Sequence, residues 1–164
     1  MNTPASLAKH PIHPMLVVLP MGLWIFSLAA DLIVAAGWKT PWSDLAFYTM
    51  AGGLAGALLA APPGLIDFFS IRDARARRIA WFHMIFNLSA AALFAVNLYL
   101  RAAGAPGDSL PVGLSLLSVA LLGVGGWLGG ELVYVRGVAV QTPPARRGPA
   151  ELREIPGGKI RRIG

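Results

Sequence analysis

Three histidines, two carboxylates set inside apolar runs and one asparagine are the residues whose types and spacing suggest chemistry. His13 stands four residues beyond Lys9, Asp67 five before Arg72, His83 five after Arg78 and Glu131 five before Arg136. At the helical rise per residue, all four would lie roughly 6–8 Å inward from a basic rim. His10 is about one turn nearer that rim, and Asn87 is one turn beyond His83 on the same helical face. Ionisable groups inside apolar segments are expensive, so one per segment in one layer reads as a shared polar site. Two imidazoles and two carboxylates suit a divalent metal such as zinc, iron or manganese. His13, Asp67, His83 and Glu131 would be its ligands, with Asn87 hydrogen bonding to orient His83. A haem b held between His83 and either His13 or His10 is the second option, because two neutral histidines suffice as axial ligands. The carboxylates have no task in haem ligation, so they tilt the expectation toward metal or proton handling. A metal-free His–carboxylate relay would use the same residues. Each residue also has an ordinary use: His10 and His13 at an interface before a Pro-started helix, His83 in packing, and Asp67 and Glu131 paired to nearby arginines.

The elements that must position these groups are four apolar blocks at about 15–36, 43–66, 79–100 and 110–135. Each is long enough to cross roughly 30 Å of hydrocarbon as a helix, which takes about 20 residues. Pro and Gly punctuate the joints at Pro11 and Pro14, Gly37 with Pro41, Pro62-Pro63-Gly64, Gly104 to Gly107, and Pro143-Pro144. Continuous apolar runs favour helices over the short alternating segments of a membrane barrel. A soluble four-helix core would need polar faces that these blocks lack. The expected fold is therefore an all-α integral membrane four-helix bundle over residues 1–140, with a flexible basic tail at 141–164.

Composition agrees. The chain is 55% hydrophobic and only 13% charged, with a mean hydropathy of +0.61. Its formal charge of +6 is not a nucleic-acid footprint, because it is concentrated between the apolar blocks and in the tail. Twelve of the fourteen Lys and Arg fall on one side: Lys9, the loop with Arg72, Arg75, Arg77 and Arg78, and the seven from Arg136 onward. Lys39 and Arg101 stand alone on the other. The positive-inside rule then puts both termini in the cytoplasm, with the chain crossing the membrane several times. The first block is too long for a signal-peptide core and lacks a small-residue cleavage site, so it is read as a retained span. There is no cysteine, which excludes disulfides, thiolate ligation of iron–sulfur clusters and covalent c-type haem attachment by this chain.

Asp31 is roughly 27 Å of helix away from His13 and is expected to face the opposite interface near Lys39. Trp24, Trp38, Trp42 and Trp81 are expected to include interfacial anchors. The spacings Gly52-Gly53-x-x-Gly56 and Gly125-Gly126-x-x-Gly129-Gly130 let helices approach closely, either within one bundle or across a homodimer. With no strands to precede them, they are not nucleotide loops.

The segments HPIHPMLVVLPMGLW, PGLIDFFSI with FHMIFN, and GGELVYVRGVAV resemble a bacterial four-span family, domain of unknown function 2231. The resemblance extends to about Val140, and its motif positions fall on His10, His13, Asp67, His83, Asn87 and Glu131. It implies a membrane protein in redox surroundings, since some relatives are joined to Rieske-type or cytochrome c domains. The leading expectation is thus a metal or haem site near the cytoplasmic face, serving redox or metal handling, with a redox partner protein. A non-catalytic scaffold and a small transporter or proton pathway are the alternatives. No inverted repeat near the midplane favours transport.

Overall fold

A computed structural model describes residues 4–8, 10–104 and 109–140. Lys9 and the expected tail at 141–164 lie outside the described residues. Two short antiparallel strands, β1 (Ser6–Leu7) and β2 (His10–Pro11), lead into α1 (Ile12–Leu16) and α2 (Val18–Ala35). Then come α3 (Trp42–Ser70), α4 (Ala74–Ala102), α5 (Ser109–Gly130) and a π-helical turn at Glu131–Val135. Pro20 has no N–H to give Leu16, and this is where α1 separates from α2. Asp73 caps α4 by accepting from the Ala76 N–H at 2.7 Å.

Among the described residues, four helical segments are long and apolar enough to cross a membrane: 12–35, 42–70, 74–102 and 110–135. All four expected blocks are therefore present: the second and third extend at both ends, the first begins three residues earlier, and the fourth keeps its expected bounds. Helices α2 and α3 form one hairpin, and α4 and α5 form a second. Side-by-side packing of α2 with α5 and of α3 with α4 closes a four-sided bundle. Consecutive helices run in opposite directions, so the starts of α2 and α4 share one end of the bundle with the ends of α3 and α5.

The bundle is apolar outside and partly polar inside. Leu58, Leu59, Trp127 and Tyr134 are among many large exposed side chains, whereas Ser27, Asn97, Ser115 and Ser118 are fully buried. Water would not tolerate that exterior, but lipid tails do, and the driving force inside becomes close packing and hydrogen bonding. No described buried side-chain N or O atom lacks a partner.

Glycine sets the helix spacing. A Cβ on Gly53 would lie 2.3 Å from Trp24 Nε1, and one on Gly56 would lie 3.1 Å from Pro20 Cδ. These glycines of α3 therefore receive α2 within the bundle. Gly22, Gly113, Gly123 and Gly126 have open space instead. Trp24 is not an interfacial anchor: it is buried, stacks on Phe94 at 4.6 Å and donates to the Met50 carbonyl at 3.2 Å. Trp38 and Trp81 are exposed.

Candidate functional site

His13 on α1 and His83 on α4 approach one another across the bundle, with ring centroids 6.3 Å apart and ring planes at 88°. Each ring is fixed by the neighbouring helix of its own hairpin. His13 Nδ1 lies 2.8 Å from the Ala60 carbonyl of α3, and His83 Nδ1 lies 2.8 Å from the Gly125 carbonyl of α5. A carbonyl can only accept, so each Nδ1 carries a proton, and Nε2 is the ring nitrogen left for another partner. That is the arrangement a histidine needs to act as a metal ligand through Nε2.

Local sequence explains why the rings fit. A Cβ on Gly64 would lie 2.6 Å from His13 Nδ1, and one on Gly129 would lie 3.0 Å from His83 Cε1. A Cβ at position 64 would force the His13 imidazole to shift, and one at position 129 would crowd His83. Pro62 and Pro63 also remove two N–H donors from α3 beside the carbonyl that holds His13. Asn87 follows His83 by one turn and donates to the His83 carbonyl at 2.7 Å, with its amide nitrogen 3.3 Å from His83 Nδ1. A Cβ on Gly125 would strike that amide at 2.5 Å.

The remaining expected ligands do not join the two imidazoles in a metal cage. Asp67 is buried and accepts from the Ala5 N–H at 3.2 Å, which ties the N-terminal segment to the end of α3. Glu131 sits in the π-helical turn and pairs with Arg136 at 3.2 Å. His10 is exposed on β2, with Nδ1 3.0 Å from the Ala8 carbonyl. Among the described residues, no group of three or more His, Asp or Glu side chains is arranged to hold a metal ion. Equal depth along helices fixes height in the bundle but not the direction of the side chain, and here the carboxylates turn to nearer donors.

A second polar cluster lies toward the other end. Asp31, 2% exposed, forms an ion pair with Arg101 at 2.8 Å and accepts from Ser115 Oγ at 2.7 Å. Arg101 Nε donates to Asn97 Oδ1 at 2.9 Å, and Asn97 Nδ2 donates to Ser115 Oγ at 2.9 Å and to the Pro111 carbonyl at 2.8 Å. Asp31 therefore does not face an interface near Lys39. The signal for this was an acidic residue inside one apolar block and a lone arginine at the far side of another; their meeting depends on the bundle topology.

The chain belongs to the DUF2231 family, described as a predicted membrane protein, whose family model matches residues 9–142. No curated protein and no solved structure matches the chain significantly.

Proposed function

We propose that this membrane protein is a haem b carrier that moves electrons through a bis-histidine centre formed by His13 and His83. The observation that carries the reading is the pair of imidazoles, each fixed through Nδ1 and spaced 6.3 Å between centroids. A metal–nitrogen bond of about 2.0 Å plus about 1.15 Å from nitrogen to ring centre would set two opposed ligands of one metal about 6.3 Å apart. A direct N–H···N bond would bring the centres to about 5.2 Å instead. The 6.3 Å spacing matches the first arrangement and exceeds the second.

Haem is preferred to a bare ion because of what is missing around the pair. A free divalent ion needs four or more ligands, and among the described residues no three His, Asp or Glu side chains are grouped to supply them. A porphyrin brings four nitrogens of its own and asks the protein only for axial ligands. When bound, the group would supply reversible one-electron chemistry. The chain's residues would hold it: His13 and His83 through Nε2, Gly64 and Gly129 as the clearances behind the rings, and Asn87 steadying the α4 backbone at His83. The exposed arginines Arg72, Arg75, Arg77 and Arg78 sit in the loop and first turns between α3 and α4. They support placing this end in the cytoplasm of a bacterial inner membrane, where they offer an acidic redox partner a contact. Residues 1–140 would then be the membrane domain and 141–164 a basic cytoplasmic extension.

Absorption spectroscopy of the detergent-purified protein tests the reading. A Soret band is expected, with on the order of one haem per chain and split visible bands on reduction. Iron and zinc analysis of the same sample separates haem from a bare metal. No Soret absorbance as isolated or after titration with haemin overturns the proposal.

A further inference from the structure

The two hairpins repeat one another in ways the residue identities conceal. Asp31 and Arg101 are 70 positions apart and in contact. Adding the same 70 to His13, Trp24 and Ser27 gives His83, Phe94 and Asn97. His13 and His83 face each other at 6.3 Å, and Trp24 and Phe94 stack at 4.6 Å. Ser27 and Asn97 are both fully buried. A side chain that meets its own counterpart lies at a two-fold axis, as in an isologous interface. Three such meetings, one near each end of the bundle and one between, define an axis along its length.

The second helix of each hairpin follows with a shift of 65, which takes Ala46, Ala60 and Gly64 onto Pro111, Gly125 and Gly129. The contacts then repeat pair for pair. Ser27 donates to the Ala46 carbonyl at 2.8 Å, and Asn97 donates to the Pro111 carbonyl at 2.8 Å. His13 bonds the Ala60 carbonyl and His83 bonds the Gly125 carbonyl, both at 2.8 Å. Gly64 makes room for His13 as Gly129 does for His83. Burial repeats as well: Pro20, Trp24 and Ser27 match Ala90, Phe94 and Asn97, while Ala46, Gly53, Ala60 and Asp67 match Pro111, Ser118, Gly125 and Leu132. Both hairpins start at the same end, so the repeats are parallel and their axis runs along the bundle.

We infer that the bundle is a tandem duplication of one two-helix hairpin, and that the His13–His83 site lies on the pseudo-two-fold axis and offers its ligand two equivalent imidazoles. The ligation half of this inference rests on the haem reading above; the duplication does not. If haem is bound, His13 and His83 would hold it as equivalent donors, one from each half of the chain. With both donors supplied by the protein, the bound group would supply outer-sphere electron transfer rather than binding of oxygen or another small ligand.

Two measurements test the two halves separately. In the full-length protein loaded with haemin, His13→Ala and His83→Ala should give the same product: a loss of the six-coordinate spectrum and a newly gained response to carbon monoxide. Free imidazole should reverse the change equally in both. A spectrum unchanged in one variant and altered in the other overturns equivalence, provided both retain wild-type helicity. The second measurement needs no ligand. The chain has no cysteine, so spin labels can be placed at exposed Ala29 with Ala120, and at their counterparts Tyr99 with Ala55. Coincident dipolar distance distributions for the two pairs are expected, and distributions that do not overlap overturn the duplication. Absence of haem together with coincident distances would remove the redox reading and leave the duplication standing.

Discussion

Replacing Arg101 with Ala should destabilise the bundle by about 3–5 kcal/mol, the usual consequence of stranding one member of a buried ion pair. Asp31 is 2% exposed, and Arg101 Nη2 lies 2.8 Å from both of its carboxylate oxygens. With the guanidinium gone, the carboxylate keeps the Ser115 hydroxyl at 2.7 Å, one neutral donor against a full charge. Asn97 also loses the donor that its Oδ1 accepts at 2.9 Å. At about 1.4 kcal/mol per decade, the folded-to-unfolded ratio should fall by roughly two to four powers of ten. Titration with sodium dodecyl sulfate in mixed micelles, followed by far-ultraviolet circular dichroism, reads this change directly. The double variant Asp31→Leu/Arg101→Leu removes both charges and should recover much of the loss, because two apolar residues leave no uncompensated ion. A loss below about 1 kcal/mol for Arg101→Ala, or a double variant no better than the single, would refute this account of the pair.

Two further outcomes follow from packing. Gly64→Ala places a Cβ 2.6 Å from His13 Nδ1, whereas Gly126→Ala meets open space. In a haemin titration the first should weaken binding at least tenfold, while the second should leave binding unchanged and shift stability by no more than about 1 kcal/mol, the helix-propensity difference between the two residues. Trp24→Ala removes a buried indole that stacks on Phe94 and donates to Met50. It should lose about 3–5 kcal/mol in the same micelle titration.

The four spans were legible because a run of apolar residues has one stable form in lipid, a helix that satisfies its own backbone. His13 and His83 were legible as a pair for a related reason: an ionisable residue in such a run is conspicuous, and alternating helix directions put both at one end. The partner of Glu131 was legible only as its ordinary use, a nearby arginine, and the N-terminal contact of Asp67 was not legible. Asp67 meets a backbone N–H of Ala5 and Glu131 meets Arg136, and neither choice leaves a trace in helical depth. The effect on the chemistry is large, since removing the carboxylates from the site turns the preferred group from a bare metal to haem. The duplication was hidden for a different reason. Lipid accepts any apolar residue outside, so selection has little hold on identity there, and the repeat survives in what is buried rather than in what is written. Trp24 aligns with Phe94, Ser27 with Asn97 and Gly125 with Ala60, changes that keep size or hydrogen-bonding role but lose the letter.

The axis also explains why one chain suits this architecture better than two copies of a hairpin. In a homodimer, a residue on the two-fold axis faces itself. Two aspartates or two arginines meeting where Asp31 meets Arg101 would repel inside a medium that screens charge poorly. A tandem chain escapes that restriction because its halves can differ, and the axis position here carries opposite charges 2.8 Å apart. The same freedom leaves Asn87 on one side of the histidine site with Val17 as its counterpart. The His pair kept its identity on both sides of the axis while its surroundings diverged. In the proposed reading, that is the pattern expected of a site whose ligand needs the same atom from each half, in a scaffold that only needs the halves to recognise one another.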